Sequence, residues 1–239
     1  MTSFSLLRLI REPIGQLLLV ILPLVIISVL GLVIGPYQGM EGVPPLDLTA
    51  ITTIMGVQFF GGTYLMSYLD SDLLKTRRWR IYSLPINVTV YSSSLILACT
   101  LFSTLQGLVM VLFTSLVFGV AWGSFGWVLM VFFIFSIFAQ SVHLLLTLAV
   151  NNIKLAERFS EIIGLGFLIL TGLMFPLPNH PFFHFMSSYG NPISLGKMAV
   201  MEILEEDGQG IAYLGITILL AFTLICMVIS AWLGRRKLA

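Results

Sequence analysis

Apolar runs separated by short polar connectors organise this chain from end to end. Gln16 to Ile34, residues 49–69, Val90 to Val120, Trp127 to Val150 and Gly210 to Leu233 are each continuous and apolar. A helix needs about 20 such residues to cross the hydrocarbon of a bilayer, and every one of these runs is close to that length or beyond it. None shows the two-residue alternation of an outer-membrane barrel strand. Pro23 lies inside the first run, where neighbouring helices re-satisfy the backbone that a proline frees. The run from Val90 is long enough that its helix must tilt or protrude.

Ile162 to Phe175 is different. It is apolar for only about 14 residues, too few to cross alone at about 1.5 Å per residue. Its helix is therefore expected to begin inside the preceding polar loop, near Phe159, and to stop at Pro176, Pro178 and Pro181. Residues 182–207 mix apolar and polar positions, and neither half is long or apolar enough to cross. They predict two short helices broken at Gly190-Asn191-Pro192, lying in or dipping into the outer leaflet, the second (Ser194 to Glu205) amphipathic. Residues 1–15 interleave Phe4, Leu6, Leu7, Leu9 and Ile10 with Arg8, Arg11 and Glu12, the pattern of an interfacial helix ahead of Pro13. A signal-peptide n-region fits less well, because the next run exceeds an h-region and no small-residue cleavage site follows it.

The longest polar interruption is Asp70 to Tyr91. Lys75, Arg77, Arg78 and Arg80 crowd into six positions of it, around Trp79. Each cation would cost about 2.5 to 3.5 kcal/mol in hydrocarbon on the mildest scale, so this loop lies outside the bilayer. A second polar loop, 151–161, carries Lys154, Glu157, Arg158 and Glu161. Placing both termini and both loops on one side puts eleven of the 12 lysines and arginines there and leaves Lys197 on the other. The positive-inside rule makes the basic side cytoplasmic. Trp122 and Trp127 flank the turn at the opposite side as interfacial anchors.

Composition agrees with the pattern. The chain is 58% hydrophobic and 10% charged, against about 25% charged in an ordinary soluble domain, and its mean hydropathy is +1.02. The fold class is all-α polytopic membrane protein. It has six transmembrane helices, an N-terminal interfacial helix and an outer re-entrant helical element between helices five and six, in one domain over 1–239. The net charge of +1 gives no sign of a nucleic-acid partner. Cys99 and Cys226 lie in apolar runs and read as small buried hydrophobes rather than a disulfide or a metal pair.

Catalytic signatures are missing. There is no phosphate loop for ATP, no His-Glu-x-x-His and no Gly-x-Ser-x-Gly. No carboxylate falls in the middle of a run, whereas ion-coupled carriers usually place one there. The polar residues inside the runs include Gln58, Gln106, Gln140 and His143. They either line a substrate path or hydrogen-bond between helices at about 0.6 kcal/mol each. His180 and His184 stand too isolated for a metal site.

Four features, in order, give the chain a family resemblance. They are an amphipathic start ending in Arg11-Glu12-Pro13, a charged first loop closing in Leu84-Pro85, the run Thr171-Gly172-Leu173-Met174-Phe175-Pro176-Leu177-Pro178, and Asn191-Pro192 ahead of an amphipathic stretch. Together they resemble the ABC-2 type transporter permeases, the membrane subunits of bacterial ATP-binding-cassette exporters. Where many members carry a Glu and a Gly ahead of the loop proline, this chain has Asp70, Asp72 and the basic run. The resemblance implies a bacterial cytoplasmic membrane, a separate ATPase subunit that binds ATP and Mg, and a second permease chain, identical or not. No cofactor is expected in this chain. It also implies coupling residues Lys75, Arg77, Arg78, Trp79, Arg80, Tyr82 and Arg158, and an outer gate at Pro176, Pro178, Asn191 and Pro192. From the residues alone, the basic loop is either a docking surface, to which Trp79, Ile81 and Tyr82 add apolar area, or a solvated charge run touching anionic lipid. Runs lined by Leu, Ile, Val, Phe and Met suit an amphipathic or lipid-like cargo. A secondary carrier or channel is the alternative, against which the halves show no internal repeat.

Overall fold

Every regular element among the described residues is helical. The computed structural model describes residues 2–11, 17–35, 45–75, 79, 83, 88–173, 175–204 and 208–238. Helix α1 spans Thr2–Ile10. A π-helical turn, Leu17–Ile21, leads into α2, Leu22–Ile34. The wider turn lies just ahead of Pro23, which lacks an N–H and crowds the carbonyl four residues back. Helices α3 (Leu46–Phe60) and α4 (Thr63–Leu69) follow, and α4 runs on through a π-helical turn, Asp70–Leu74. Then come α5 (Val88–Phe118), α6 (Phe125–Ala149) and α7 (Ile153–Leu170). The short α8 (Pro181–Phe185) continues as the turn Met186–Gly190. Helix α9 (Pro192–Met201) closes in a 3₁₀ turn, Glu202–Leu204, and α10 is Gln209–Leu238.

Three of these helices are individually long and apolar enough to cross a membrane: Val88–Phe118, Phe125–Ala149 and Gln209–Arg236. At 31 residues, α5 extends about 46 Å, more than the about 30 Å of hydrocarbon in a bilayer. The other three expected spans take different forms. Helix α2 is shorter. The run 49–69 is two helices that meet at Gly61–Gly62, where the N–H groups of Gly61 and Gly62 bond Gln58 O and Phe59 O at 3.2 Å in tight three-residue closures. The fifth starts earlier than the apolar pattern predicts. Asn152 Oδ1 caps it by accepting from the Lys154 N–H at 3.0 Å, and Ala156, Ser160 and Gly164 put one buried face on its charged and apolar turns alike.

The polar interruption is also narrower than residues 70–91. Asp70–Leu74 remains helical, closed by the Lys75 N–H on Asp70 O at 2.8 Å, and α5 has begun by Val88. Helix α9 is more buried than the amphipathic pattern of Ser194 to Glu205 predicts. Residues 192–196 are all buried, and so are Ala199 and Val200. The helix packs against α3, α6 and α10.

The main core forms where α3 and α6 cross. Ile51, Met55 and Phe59 meet Phe132, Phe135 and Phe138, and Ile193, Val200 and Ile216 close it from α9 and α10. A second cluster lies at the other end of α4, where Leu65, Leu69 and Leu73 pack on Leu95 and Phe102 of α5. Helix α1 docks there through Leu9, which is fully buried, and leaves Phe4, Leu7 and Ile10 exposed. Helix α10 is the most peripheral of the long helices. Its most apolar stretch is 28% buried, against 61% and 56% in α5 and α6.

Candidate functional site

One end of the bundle gathers the basic residues. Leu73 at the end of α4, Val88 at the start of α5, Leu148 at the end of α6 and Arg235 near the end of α10 line one cavity there. Asp72 is the hub of this end. It is only 2% exposed, in the wide turn that closes α4. Its Oδ2 accepts from Arg8 Nη1 at 2.8 Å and from the Tyr91 hydroxyl at 2.8 Å, and Ser71 Oγ donates to Oδ1 at 3.2 Å. The Arg8 guanidinium also lies 3.9 Å over the Tyr68 ring. The cluster therefore ties α1, α4 and α5 together. Sequence reading placed Asp72 at a polar edge and missed this role. Arg8 and Asp72 are 64 positions apart, so no local pattern links them.

The expected coupling residues fall on or beside this end. Lys75 pairs with Asp70 at 3.1 Å and leaves its side chain half exposed. Trp79 is 67% exposed, a large indole presented to the surroundings. Arg158 pairs with Glu161 at 2.7 Å on the surface of α7, a contact worth about 1 kcal/mol or less. Arg77, Arg78, Arg80 and Tyr82 lie outside the described residues.

Above this end the break between α3 and α4 faces a buried polar seam. Gln58 Nε2 donates to Phe132 O at 3.2 Å and to Ser136 Oγ at 2.6 Å, joining α3 to α6. Thr104 of α5 reaches the same Ser136 Oγ at 3.3 Å. His143 Nδ1 lies 2.7 Å from Ala139 O, so that nitrogen carries the proton. A β-carbon on Gly62 would overlap the His143 ring. Gln58 thus has the interhelical role. Gln106 and Gln140 are buried, and the Gln106 Nε2 and both amide atoms of Gln140 have no hydrogen-bond partner among the described residues.

The opposite end carries the proline-rich stretch and α9. Pro176 and Pro178 are exposed in the connector from α7 to α8. Asn191 is fully buried. Its Oδ1 accepts from the Ile193 N–H at 3.0 Å, capping α9, and its Nδ2 donates to Phe167 O at 2.7 Å, tying α9 to α7. Pro192 at the first helical position has no N–H to satisfy. Asn191→Ala loses the cap, worth about 0.5 to 2 kcal/mol, and strands the Phe167 carbonyl. Unfolding in mild detergent should show a loss at the upper end of that range, with Asn191→Asp recovering the cap but not the tether. Trp122 is buried and Trp127 half-buried at this end: their indole N–H groups donate to Thr114 Oγ1 at 3.0 Å and to Ala199 O at 2.8 Å. Buried indoles need such partners. Burial pushes the Lys197 ammonium below its ordinary value, and Glu202 partly offsets the shift.

The long apolar helices are those of an integral membrane protein. The model of the ABC-2 type transporter family matches residues 1–204, and the chain belongs to that family. It is a permease, the membrane component of an ABC transporter, and membership implies association with an ATPase subunit. No curated protein matches the chain.

Proposed function

We propose that this chain is the transmembrane subunit of a bacterial exporter that moves an amphipathic or hydrophobic cargo out of the cytoplasm. ATP and Mg are bound by a separate subunit. The observation that carries the reading is the braced basic end. Asp72 locks α1, α4 and α5 into one unit directly behind Lys75 and the exposed Trp79. A push delivered there by a docked ATPase reaches three helices at once. In this reading six spans place both termini in the cytoplasm, α2 and the α3–α4 pair counting as two of them. A second permease chain completes the path, because six spans enclose little volume. Residues 75–82 and Arg158 form the docking surface. Pro176, Pro178, Asn191 and Pro192 belong to the outer gate, and Gln106 and Gln140 face the path when the bundle opens.

Co-purification with an ATP-binding subunit, two permease chains per particle, tests the assembly. Replacing Arg78 and Trp79 together by alanine should leave membrane insertion intact and cut ATP-driven export about tenfold or more. An anchor indole and its charged neighbour are the usual high-energy contacts of a docking surface. Normal export by that variant would overturn the docking role.

A further inference from the structure

A cavity of about 750 Å³ opens at the basic end, between the turn that closes α4, the first turns of α5 and the last turns of α6 and α10. That size is ordinary for a site taking a small organic ligand. Leu73, Ile96, Leu144 and Met227 make much of its wall, and Ser93 and Ser230 are among the other residues that line it. Ser230 is only 2% exposed, yet its Oγ has no hydrogen-bond partner among the described residues. A buried hydroxyl on a helix ordinarily bonds the carbonyl one turn back, as Thr223 of the same helix does with Leu219 O at 2.8 Å. Ser230 belongs to the cavity wall, with that hydroxyl enclosed behind it.

One cation, Arg235, is among the lining residues. Arg8 is engaged by Asp72, Lys75 by Asp70 and Arg158 by Glu161, while Arg236 stacks 4.0 Å from the centre of the Trp232 ring. Arg235 lines the cavity, is exposed, and has no acidic partner among the described residues. A tryptophan beside an arginine at the end of a lipid-facing helix marks the head-group level of a bilayer. Below that level the cavity descends along α10 from Arg235 to Met227, about 12 Å at 1.5 Å per residue.

We propose that this cavity binds one anionic glycerophospholipid of the surrounding bilayer. Its phosphate sits on the Arg235 guanidinium, whose planar fork matches phosphate oxygens. One acyl chain lies between α5, α6 and α10 against Ile96, Leu144 and Met227. A free phosphate would have no use for the apolar wall, and a neutral lipid would leave Arg235 unmatched. Basic pockets between transmembrane helices hold lipid head groups by the same physics. The site does not depend on what energises transport.

The test is native mass spectrometry of the full chain, released from bilayer discs made of equal parts phosphatidylglycerol and phosphatidylcholine. One phosphatidylglycerol per chain should be retained in preference to phosphatidylcholine. Arg235→Gln should weaken that retention about tenfold or more. Ala231→Trp fills the cavity from its α10 wall and should abolish retention. Ser93→Phe repeats the filling from α5, so that the result does not rest on one variant folding. Size-exclusion profiles matching the parent identify folded variants. Equal retention of the two lipids, no retained lipid in the parent, or retention unchanged in both filled variants would each overturn the proposal.

Discussion

Arg8→Ala is expected to destabilise the protein by about 2 to 4 kcal/mol and to release α1 from the bundle. Removing one partner of a buried ion pair costs about 3 to 5 kcal/mol, because the remaining charge loses its compensation. Asp72 is buried, but the Arg8 side chain is 34% exposed, so the loss should fall toward or below the lower end of that range. Asp72→Asn keeps an acceptor for the Tyr91 hydroxyl and should cost less than Asp72→Ala. The diagnostic is the double variant. Arg8→Ala combined with Asp72→Ala should be more stable than the sum of the two single losses predicts, by about 1 to 3 kcal/mol. Denaturant or thermal unfolding in mild detergent measures it, and strict additivity would mean that the pair does not act as one. Arg158→Ala on the surface serves as the comparison and should change stability by about 1 kcal/mol or less.

Gly62→Ala should cost about 1 to 3 kcal/mol, and Gly62→Val more, as overpacking in a tight interior does. The backbone at Gly62 is ordinary, with φ −68°, so any residue could adopt it. The obstacle is the His143 ring, which occupies the place of the β-carbon. That makes the cause testable: His143→Ala in the Gly62→Ala background should recover part of the loss. Gly166→Ala provides the contrast. Nothing lies within 4 Å of its β-carbon position, and alanine is the better helix former by about 1 kcal/mol, so this change should be neutral or stabilising. Because the α3–α4 break stands beside Gln58 and His143, Gly62→Ala should also slow transport in a reconstituted transporter. A Gly62→Ala variant with parental stability would show that α6 yields freely at this crossing.

The chain's own pattern made the class plain. Runs near the thickness of a bilayer leave few alternatives to helices, since an unpaired backbone is intolerable in hydrocarbon. It also located the breaks. Pro176 and Pro178 lie in the connector as expected, but α7 already ends at Leu170, where Gly172 takes a φ of 73°, and the stop at Gly190-Asn191-Pro192 lies where the short helices part. Prolines and an Asx cap act on their immediate neighbours, and that is why they are readable without a fold. The start of α7 was harder. Hydropathy treats Lys154 to Glu161 as loop, whereas the Asn152 cap and the face of Ala156, Ser160 and Gly164 extend the helix through it.

What the sequence by itself determined is therefore the helical membrane class, the separation of a basic end from a proline-rich end, and the family resemblance that the family match bears out. These depend on composition and on spacing within one or two turns. Only the tertiary structure decided which polar groups meet. It joined Arg8 to Asp72 and Tyr91, set Gln58 on Ser136 and buried α9 among α3, α6 and α10. It also left Ser230 and Arg235 beside one cavity. The physical reason is that a helix fixes its own hydrogen bonds locally, while the partner of a side chain is chosen by whichever helix packs against it.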